Sequence, residues 1–181
     1  NQTPVLSGGA KIVEWKPYQD SILQCHLPDA KADRWSFRQL FFNDKRQIRA
    51  RWPNRDPDEP LYGGWAFIES IFPEDDDQSP GFRFAPNDTL RHWTSTGQAE
   101  VQVFPWYCWV NDFIPVKHID ADERTITLGR RVRPGFMSLL PGNRFCVENV
   151  LEELDQPGEW CLDGETGTLY FWPPGETVED G

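Results

Sequence analysis

The chain has 181 residues and a formal net charge of −11, and it contains 16 prolines and 14 glycines. This length suits one domain with a single substantial core, and the frequent prolines and glycines exclude long helices. No apolar run approaches the roughly 20 residues of a membrane-spanning helix, and the acidic balance disfavours nucleic acid, whose binding depends on Lys and Arg. We therefore expect neither a membrane nor a nucleic-acid partner.

Short segments rich in aromatic and β-branched residues predict strands along most of the chain. In chain order they are residues 11–15, 21–27, 35–42, 45–52, 100–110, 113–119, 124–128, 159–163 and 168–172. Residues 16–20 predict a turn between the first two strands. Residues 100–110 are apolar enough for a central strand, although Pro105 interrupts them.

Three turn sequences predict hairpins between neighbouring strands. Asn43 and Asp44 tolerate positive φ angles, and residues 120–123 and 164–167 are similarly rich in turn formers. Residues 53–98 are the least regular part of the sequence and predict a long loop or lid.

One short helix is predicted near residues 144–155. Val147, Val150, Leu151 and Leu154 follow the helical spacing, and Asn143 stands at the N-cap position. The sequence as a whole predicts an all-β fold, an antiparallel β-barrel or sandwich with this single short helix.

Charged residues are unevenly placed, because residues 145–181 contain ten Asp or Glu and no Lys or Arg. Two basic clusters interrupt this pattern. They consist of Lys45, Arg46, Arg49 and Arg51, and of Arg130, Arg131 and Arg133. We interpret both clusters as solvated strand faces or turns.

Cysteine and histidine spacing gives no sign of a metal site. Cys25, Cys108, Cys146 and Cys161 form no C-x-x-C pair, so we expect buried free thiols, with a Cys146–Cys161 bridge as the alternative if their elements pack together. Phosphate-binding loops, dinucleotide fingerprints and nucleophile elbows are also absent from the sequence. We predict no metal and no cofactor.

Aromatic residues offer the clearest ligand-binding chemistry, because sugars present apolar C–H faces that stack on aromatic rings. The alternative is that these residues fill the core. The candidate ligand-facing residues are Trp52, Asn54, Arg55, Trp106, Tyr107, Trp109 and Asn111. Among the carboxylates, Asp112 and Asp120 lie beside aromatic strands and are acid–base candidates, with a turn role as the alternative for both.

Several segments together resemble one protein family. They are residues 4–9, 40–46, 50–54 and 144–160, then Leu162-Asp163, residues 166–170 and Trp172-Pro173-Pro174. These segments resemble the insertion domain of glycoside hydrolase family 141 and its relatives, including family 120, whose catalytic domain is a right-handed parallel β-helix. Asp44, in place of the more usual Gly, and Cys146 and Cys161, in place of aromatics, depart from that pattern.

The resemblance implies a division of the chain into residues 1–10 as a remnant of a flanking β-helix coil, residues 11–174 as a β-barrel-like insertion domain and residues 175–181 as a tail. It also implies that the catalytic carboxylates lie outside these residues. The sequence lacks an initiator Met, and we expect it to be a piece of a longer, secreted or periplasmic protein. Carbohydrate and the β-helix domain of the parent are the expected partners.

Three hypotheses follow for the function. The first is a noncatalytic insertion domain that shapes the substrate groove of a β-helix glycosidase. The second is a self-contained carbohydrate-binding module, and the third is a small complete glycosidase.

Overall fold

The computed structural model describes residues 8–31, 35–59, 61–72, 80–87, 93, 98–133 and 138–175. Within these residues the fold is nearly all β. The strands are β1 (Lys16–Gln19), β2 (Ile22–His26), β3 (Phe41–Phe42), β4 (Lys45–Arg46), β5 (Ile48–Arg49), β6 (Arg51–Trp52), β7 (Ala66–Ile71), β8 (Gly81–Phe84), β9 (Glu100–Val103), β10 (Asp112–Asp120), β11 (Thr125–Leu128), β12 (Arg144–Glu148), β13 (Glu159–Asp163) and β14 (Thr168–Phe171). The helices are α1 (Pro28–Lys31) and one 3₁₀ helix, Leu151–Glu153.

Six antiparallel strands close into a barrel in the order β12, β7, β8, β11, β10, β9 and back to β12. Side chains alternate between the inside and outside of these strands, so that Val101, Val103, Ile126 and Leu128 point into the core. The largest ring in this core belongs to Trp52, which lies on β6 beside the barrel strand β12. Closure leaves the barrel strands without free edges over most of their length.

A second sheet of five strands, in the order β1, β2, β14, β13, β5, packs beside the barrel. Its strands are antiparallel except for the short parallel pairing of β5 with β13. Trp160, Leu169 and Phe171 form its apolar core together with Leu40. The hairpin of β3 and β4 forms a small sheet of its own.

The chain crosses between the two sheets at Ala50, because β5 belongs to the second sheet and β6 pairs with the barrel. The Ala50 amide donates to the Trp160 carbonyl at 2.8 Å, and its carbonyl accepts from the Asn149 amide at 2.8 Å. Asn149 also bonds through its side chain to both the amide and the carbonyl of Leu162, at 2.9 Å each. These contacts join the sheets through buried backbone groups.

The structure confirms the predicted all-β class, with an antiparallel barrel and one short helix. The three predicted hairpins are present, as β3 with β4, β10 with β11 and β13 with β14. Asn43 and Asp44 adopt φ angles of 48° and 59°, as a two-residue hairpin turn requires. The predicted central strand 100–110 is confirmed only over Glu100–Val103, where β9 pairs with β10 on one side and β12 on the other. Residues 104–110 are not a strand, because Trp106 and Cys108 take positive φ angles that break extended geometry.

The first half of the chain departs from the prediction at several points. Residues 11–15 are not a strand, because Glu14 takes a φ of 64° that breaks extended geometry, and β1 instead occupies part of the predicted turn. Only the last two residues of the predicted strand 35–42 are extended, and the predicted strand 45–52 is divided into three short strands. The division follows from the chain's passage between the two sheets.

The predicted loop 53–98 contains two barrel strands, β7 and β8. The alternating burial of β7 is visible in the sequence Ala66-Phe67-Ile68. Both strands are short, however, and the many turn-forming residues around them outweigh this strand signal in the sequence. The acidic run at residues 74–77 lies outside the described residues.

The helix predicted near residues 144–155 is absent from the first half of that range. Residues 144–148 are strand β12, and only Leu151–Glu153 forms a helical turn within the predicted range. Phe145 and Val147 point into the barrel and Cys146 is buried on the opposite face. Pairing of β12 with strands on both sides satisfies its backbone groups and outweighs the local helical pattern.

Candidate functional site

The loop between β9 and β10, residues 104–111, exposes three aromatic side chains. The exposed fractions are 40% for Trp106, 68% for Tyr107 and 87% for Trp109. Ring centroids lie 5.5 Å apart between Trp106 and Tyr107 and 5.9 Å apart between Tyr107 and Trp109, which is ordinary aromatic contact. The alternative that these residues fill the core is therefore wrong, and a connected aromatic surface faces solvent.

The backbone of this loop is fixed by hydrogen bonds from its neighbours. The Trp106 amide donates to the Ser138 carbonyl at 3.0 Å, and the buried Asn143 side chain donates to the Trp106 carbonyl at 3.0 Å. Trp106 and Cys108 have φ angles of 53° and 62°, a left-handed conformation that is uncommon for bulky residues. Such conformations persist where surrounding contacts impose them, and they occur often at binding sites.

A buried ion pair stands at the end of the loop. Asp112, the first residue of β10, is almost inaccessible and accepts two hydrogen bonds from the Arg130 guanidinium, at 2.8 and 2.9 Å. Arg133 donates its amide to the same carboxylate at 3.1 Å, and its Nε lies 3.4 Å away. Burial raises the pKa of Asp112, but the two arginines outweigh burial and hold the pKa below its ordinary value. Asp112 is nearly inaccessible and both of its oxygens are engaged by Arg130 and Arg133, so it positions the arginines and is not available as an acid–base group.

The other predicted ligand-facing residues are not all at this loop. Asn111 is exposed and immediately precedes Asp112, so it shares the surface of the three aromatic residues. Trp52 is buried in the barrel core and is not accessible to a ligand. The Asn54 amide donates to Asp155 at 2.8 Å, and Arg55 is exposed next to it. Four of the seven candidates therefore come together on one loop.

Asp120 has the turn role that was its alternative. Its carboxylate accepts a hydrogen bond from the Glu123 amide at 2.9 Å and so stabilises the turn between β10 and β11.

A pair of carboxylates that the sequence did not indicate lies on the outer face of the barrel. Glu100 on β9 and Glu148 on β12 are direct cross-strand neighbours, and both contact Nη1 of Arg49, at 2.6 and 3.4 Å. Because both contact the same guanidinium nitrogen, the two carboxylates lie close together. Burial raises the pKa of Glu148, and Arg49 and Arg51 oppose that rise.

Arginines occupy the space where a sugar would have to enter between these two carboxylates. Arg49 bridges them, and Arg38 forms a further ion pair with Glu100. The pair is therefore a structural ion network. No sequence signal could have found it, because the two glutamates are brought together only by strand pairing. The interpretation of Arg49 and Arg51 as parts of a solvated face is wrong, since both are largely enclosed.

Two of the four cysteines are too deeply buried to act as nucleophiles. All four cysteines are free thiols, and Cys25, Cys146 and Cys161 are buried, which confirms the prediction for these three. Burial raises the pKa of Cys146 and of Cys161 to about 12, so both remain protonated at neutral pH. Within the described part of the chain, no group of three or more His, Cys, Asp or Glu could hold a metal ion, and no helix there is long and apolar enough to cross a membrane.

A cleft of about 710 Å³ lies where the second sheet meets the barrel. Its walls include Trp172, Gln98, Asn149 and Asp163. The polar side chains of these walls already have structural hydrogen bonds. Gln98 accepts from the Gly164 amide at 2.6 Å, Asn149 accepts from the Leu162 amide, and Asp163 accepts from the Glu165 amide. The cleft is therefore a feature of the joint between the sheets.

Comparison with known proteins identifies a similar fold. No family model and no curated protein matches the chain. A solved structure named "Glycoside hydrolase" is similar over 96% of this chain, with a TM-score of 0.62 and 22% sequence identity. The chain spans 30% of the length of that structure. At this level of identity the likeness shows the fold alone.

Proposed function

We propose that this chain is an accessory domain of a longer glycoside hydrolase, and that it contributes one wall of the substrate groove without being catalytic alone. The main observation in support of this proposal is the exposed aromatic loop, residues 104–111. Burying an apolar side chain stabilises a protein, so a Trp that is 87% exposed contributes little to folding and is available for contact with a ligand.

The carboxylates of the chain support a noncatalytic role. Glycoside hydrolysis needs two carboxyl groups facing a sugar-sized space, one of them able to donate a proton. Among the described residues, the cross-strand pair Glu100 and Glu148 is bridged by Arg49. Asp112 is held by Arg130 and is nearly inaccessible. The acid and base of the reaction are better sought in a different part of the parent protein.

The sequence resemblance supports a more specific parent. Residues 144–160 and the segments after them resemble the insertion domain of family 141 and family 120 enzymes, and the similar solved structure is a glycoside hydrolase of which this fold covers 30%. We propose that the parent carries a right-handed parallel β-helix next to this domain. Carbohydrate and that β-helix are then the two partners of the chain.

The test is affinity electrophoresis of the 181-residue chain in gels that contain one of several neutral or acidic polysaccharides. We expect retardation by at least one polysaccharide and, for Trp109→Ala, a loss of affinity of roughly tenfold or more, because buried aromatic anchors at binding sites contribute about 2 kcal/mol or more. Tyr18→Ala is the matched control, since Tyr18 is an exposed aromatic on the second sheet.

A second assay separates the accessory role from a complete glycosidase. Aryl glycosides are incubated with the chain, and we expect no release of the aryl group. Turnover that disappears in Glu148→Gln would replace the proposal with a catalytic function. Absence of binding to every polysaccharide would contradict the role of the loop in substrate contact.

A further inference from the structure

The charge around the aromatic loop is opposite to that of the whole chain. The chain has a net charge of −11, but residues 104–111 contain no charged side chain. Residues 138–142 contain none either, and the first of them, Ser138, accepts a hydrogen bond from the Trp106 amide. Residues 129–133, which follow β11 and contact Asp112 at the end of the same loop, contain three arginines, and against the single negative charge of Asp112 they leave a formal charge of +2. A ligand at this loop therefore meets positive charge.

The buried carboxylate of Asp112 builds this positive site. Arg130 uses its guanidinium for Asp112 and for the carbonyls of Arg131 and Phe113, at 2.9 and 2.7 Å. Arg133 contacts Asp112 through its amide and Nε, and its side chain remains 69% exposed. The Arg130 guanidinium is therefore used in structural hydrogen bonds. The Arg133 side chain is held at Asp112 but remains mostly exposed to solvent.

From this arrangement we infer that the saccharide unit at the loop is anionic and carries a carboxylate, as a uronic acid does. A uronic acid has the C–H faces of a neutral sugar, which Trp109 and Tyr107 contact, and a ring carboxylate, which Arg133 binds. Guanidinium groups match carboxylates in a two-point hydrogen-bond geometry. The inference rests on the proposed function and names the substrate class of the same surface.

The location of the charge strengthens the assignment. Trp109 lies three residues before Asp112, which holds Arg133 directly. Arg133 is held in a fixed position by Asp112, and a solvated turn has no need of a buried carboxylate beneath it. Burial of the Asp112 carboxylate costs free energy, which its arginine partners offset. A simple surface turn would not require such a buried ion pair.

The experiment compares binding of polygalacturonate with binding of its fully methyl-esterified form, which has the same backbone without the charge. Titrations use about 0.15 M salt, because screening over about 8 Å keeps the distant acidic surface of the chain from dominating. We expect the acid to bind at least fivefold more tightly than the ester. Arg133→Gln is expected to abolish that difference, and Arg133→Lys to retain part of it.

Arg83→Gln is the matched control, because Arg83 is a half-exposed arginine on β8 that pairs with Glu123 away from the loop. It is expected to change neither affinity. Thermal melts of each variant check that the fold is intact. Trp109→Ala is expected to weaken binding of the acid.

Two results would overturn the inference, and they are distinguishable. Equal binding of acid and ester, or binding of neutral polysaccharides alone, with a loss in Trp109→Ala, retains the carbohydrate-contacting role and rejects the anionic class. Absence of binding to every polysaccharide rejects both.

Discussion

Glu159, at the start of β13, is a buried acid whose ionisation the fold resists. One carboxylate oxygen accepts hydrogen bonds from the amides of Asp155 and Gln156, at 3.1 Å each. Burial raises the pKa of Glu159 to about 8, the charges of Asp155 and Glu153 add to the rise, and the two hydrogen bonds oppose it. The carboxyl group is therefore mostly protonated at neutral pH in the folded chain.

This pKa predicts a stability that falls as pH rises. In the unfolded chain a Glu titrates near pH 4.3, so between about pH 4.3 and 8 the folded state binds more protons. The contribution of Glu159 is complete below pH 4.3 and is lost as the pH rises through 8, with a slope of at most about 1.4 kcal/mol per pH unit.

Glu159→Gln retains the acceptor oxygen and removes the titration. We expect its free energy of unfolding, measured by urea denaturation from pH 5 to 8, to depend less on pH and to exceed that of the unaltered chain at pH 8. Glu165→Gln, on the exposed turn after β13, is the control and should leave the slope unchanged. Identical slopes for Glu159→Gln and the unaltered chain would contradict the assignment.

The candidate site illustrates what single residues reveal. Trp106, Tyr107 and Trp109 could be named as candidates from the sequence, because aromatic rings suit contact with sugars. Their exposure could not be predicted, because aromatic residues that face a ligand and aromatic residues that fill a core have the same chemistry. Trp52 shows the converse, since its ring fills the barrel core. The partnership of Asp112 with Arg130 joins residues on neighbouring strands and is invisible until those strands are paired.

At the scale of elements, hairpins were predictable because their signals are local. The Asn43-Asp44 turn and the turn that begins at Asp120 are specified by residues whose side chains tolerate or stabilise the turn itself. Strand β12 was not predictable, because its apolar residues also fit helical spacing and only its pairing with β9 and β7 decides between the two. Strands β7 and β8 depend in the same way on distant partners.

The Asn43-Asp44 turn gives a direct test of local backbone preference. Asp44 has a φ of 59°, where glycine is unstrained and a β-branched residue is not. We expect Asp44→Gly to change the free energy of unfolding by a few tenths of a kcal/mol, and Asp44→Val to lower it by about 1–2 kcal/mol. Thermal and urea denaturation measure both. Equal stability of the two variants would show that this turn does not require a positive φ.

At the scale of the whole molecule, the barrel and the second sheet have separate apolar cores and share a polar joint. Trp52 and Phe145 belong to the barrel core, whereas Trp160 and Phe171 belong to the core of the second sheet. Between them, Asn149 bonds to the amide and carbonyl of Leu162 and to the Gln98 carbonyl. The relative position of the two sheets therefore depends on hydrogen bonds as well as on apolar packing.

Two substitutions of Asn149 separate the effect of its side-chain hydrogen bonds on stability from the effect of its backbone conformation. Its φ is 65°, a conformation that Asn tolerates and glycine adopts without strain. Asn149→Ala removes the side-chain hydrogen bonds and adds backbone strain, whereas Asn149→Gly removes the hydrogen bonds alone. We expect the free energy of unfolding to fall by about 2–3 kcal/mol for Gly, because buried partners are left unpaired, and by about 1 kcal/mol more for Ala.

Asn54→Ala is the control for this joint, because Asn54 makes one amide contact, to Asp155, and we expect a loss of about 1 kcal/mol. Denaturation is followed by far-ultraviolet circular dichroism and by tryptophan fluorescence, and the two transitions should coincide in the unaltered chain if the joint couples the sheets. A loss for Asn149→Gly no larger than for Asn54→Ala would mean that apolar contact alone holds the sheets together. In that case the aromatic loop would still be fixed within the barrel by Asn143 and Ser138, since neither belongs to the joint.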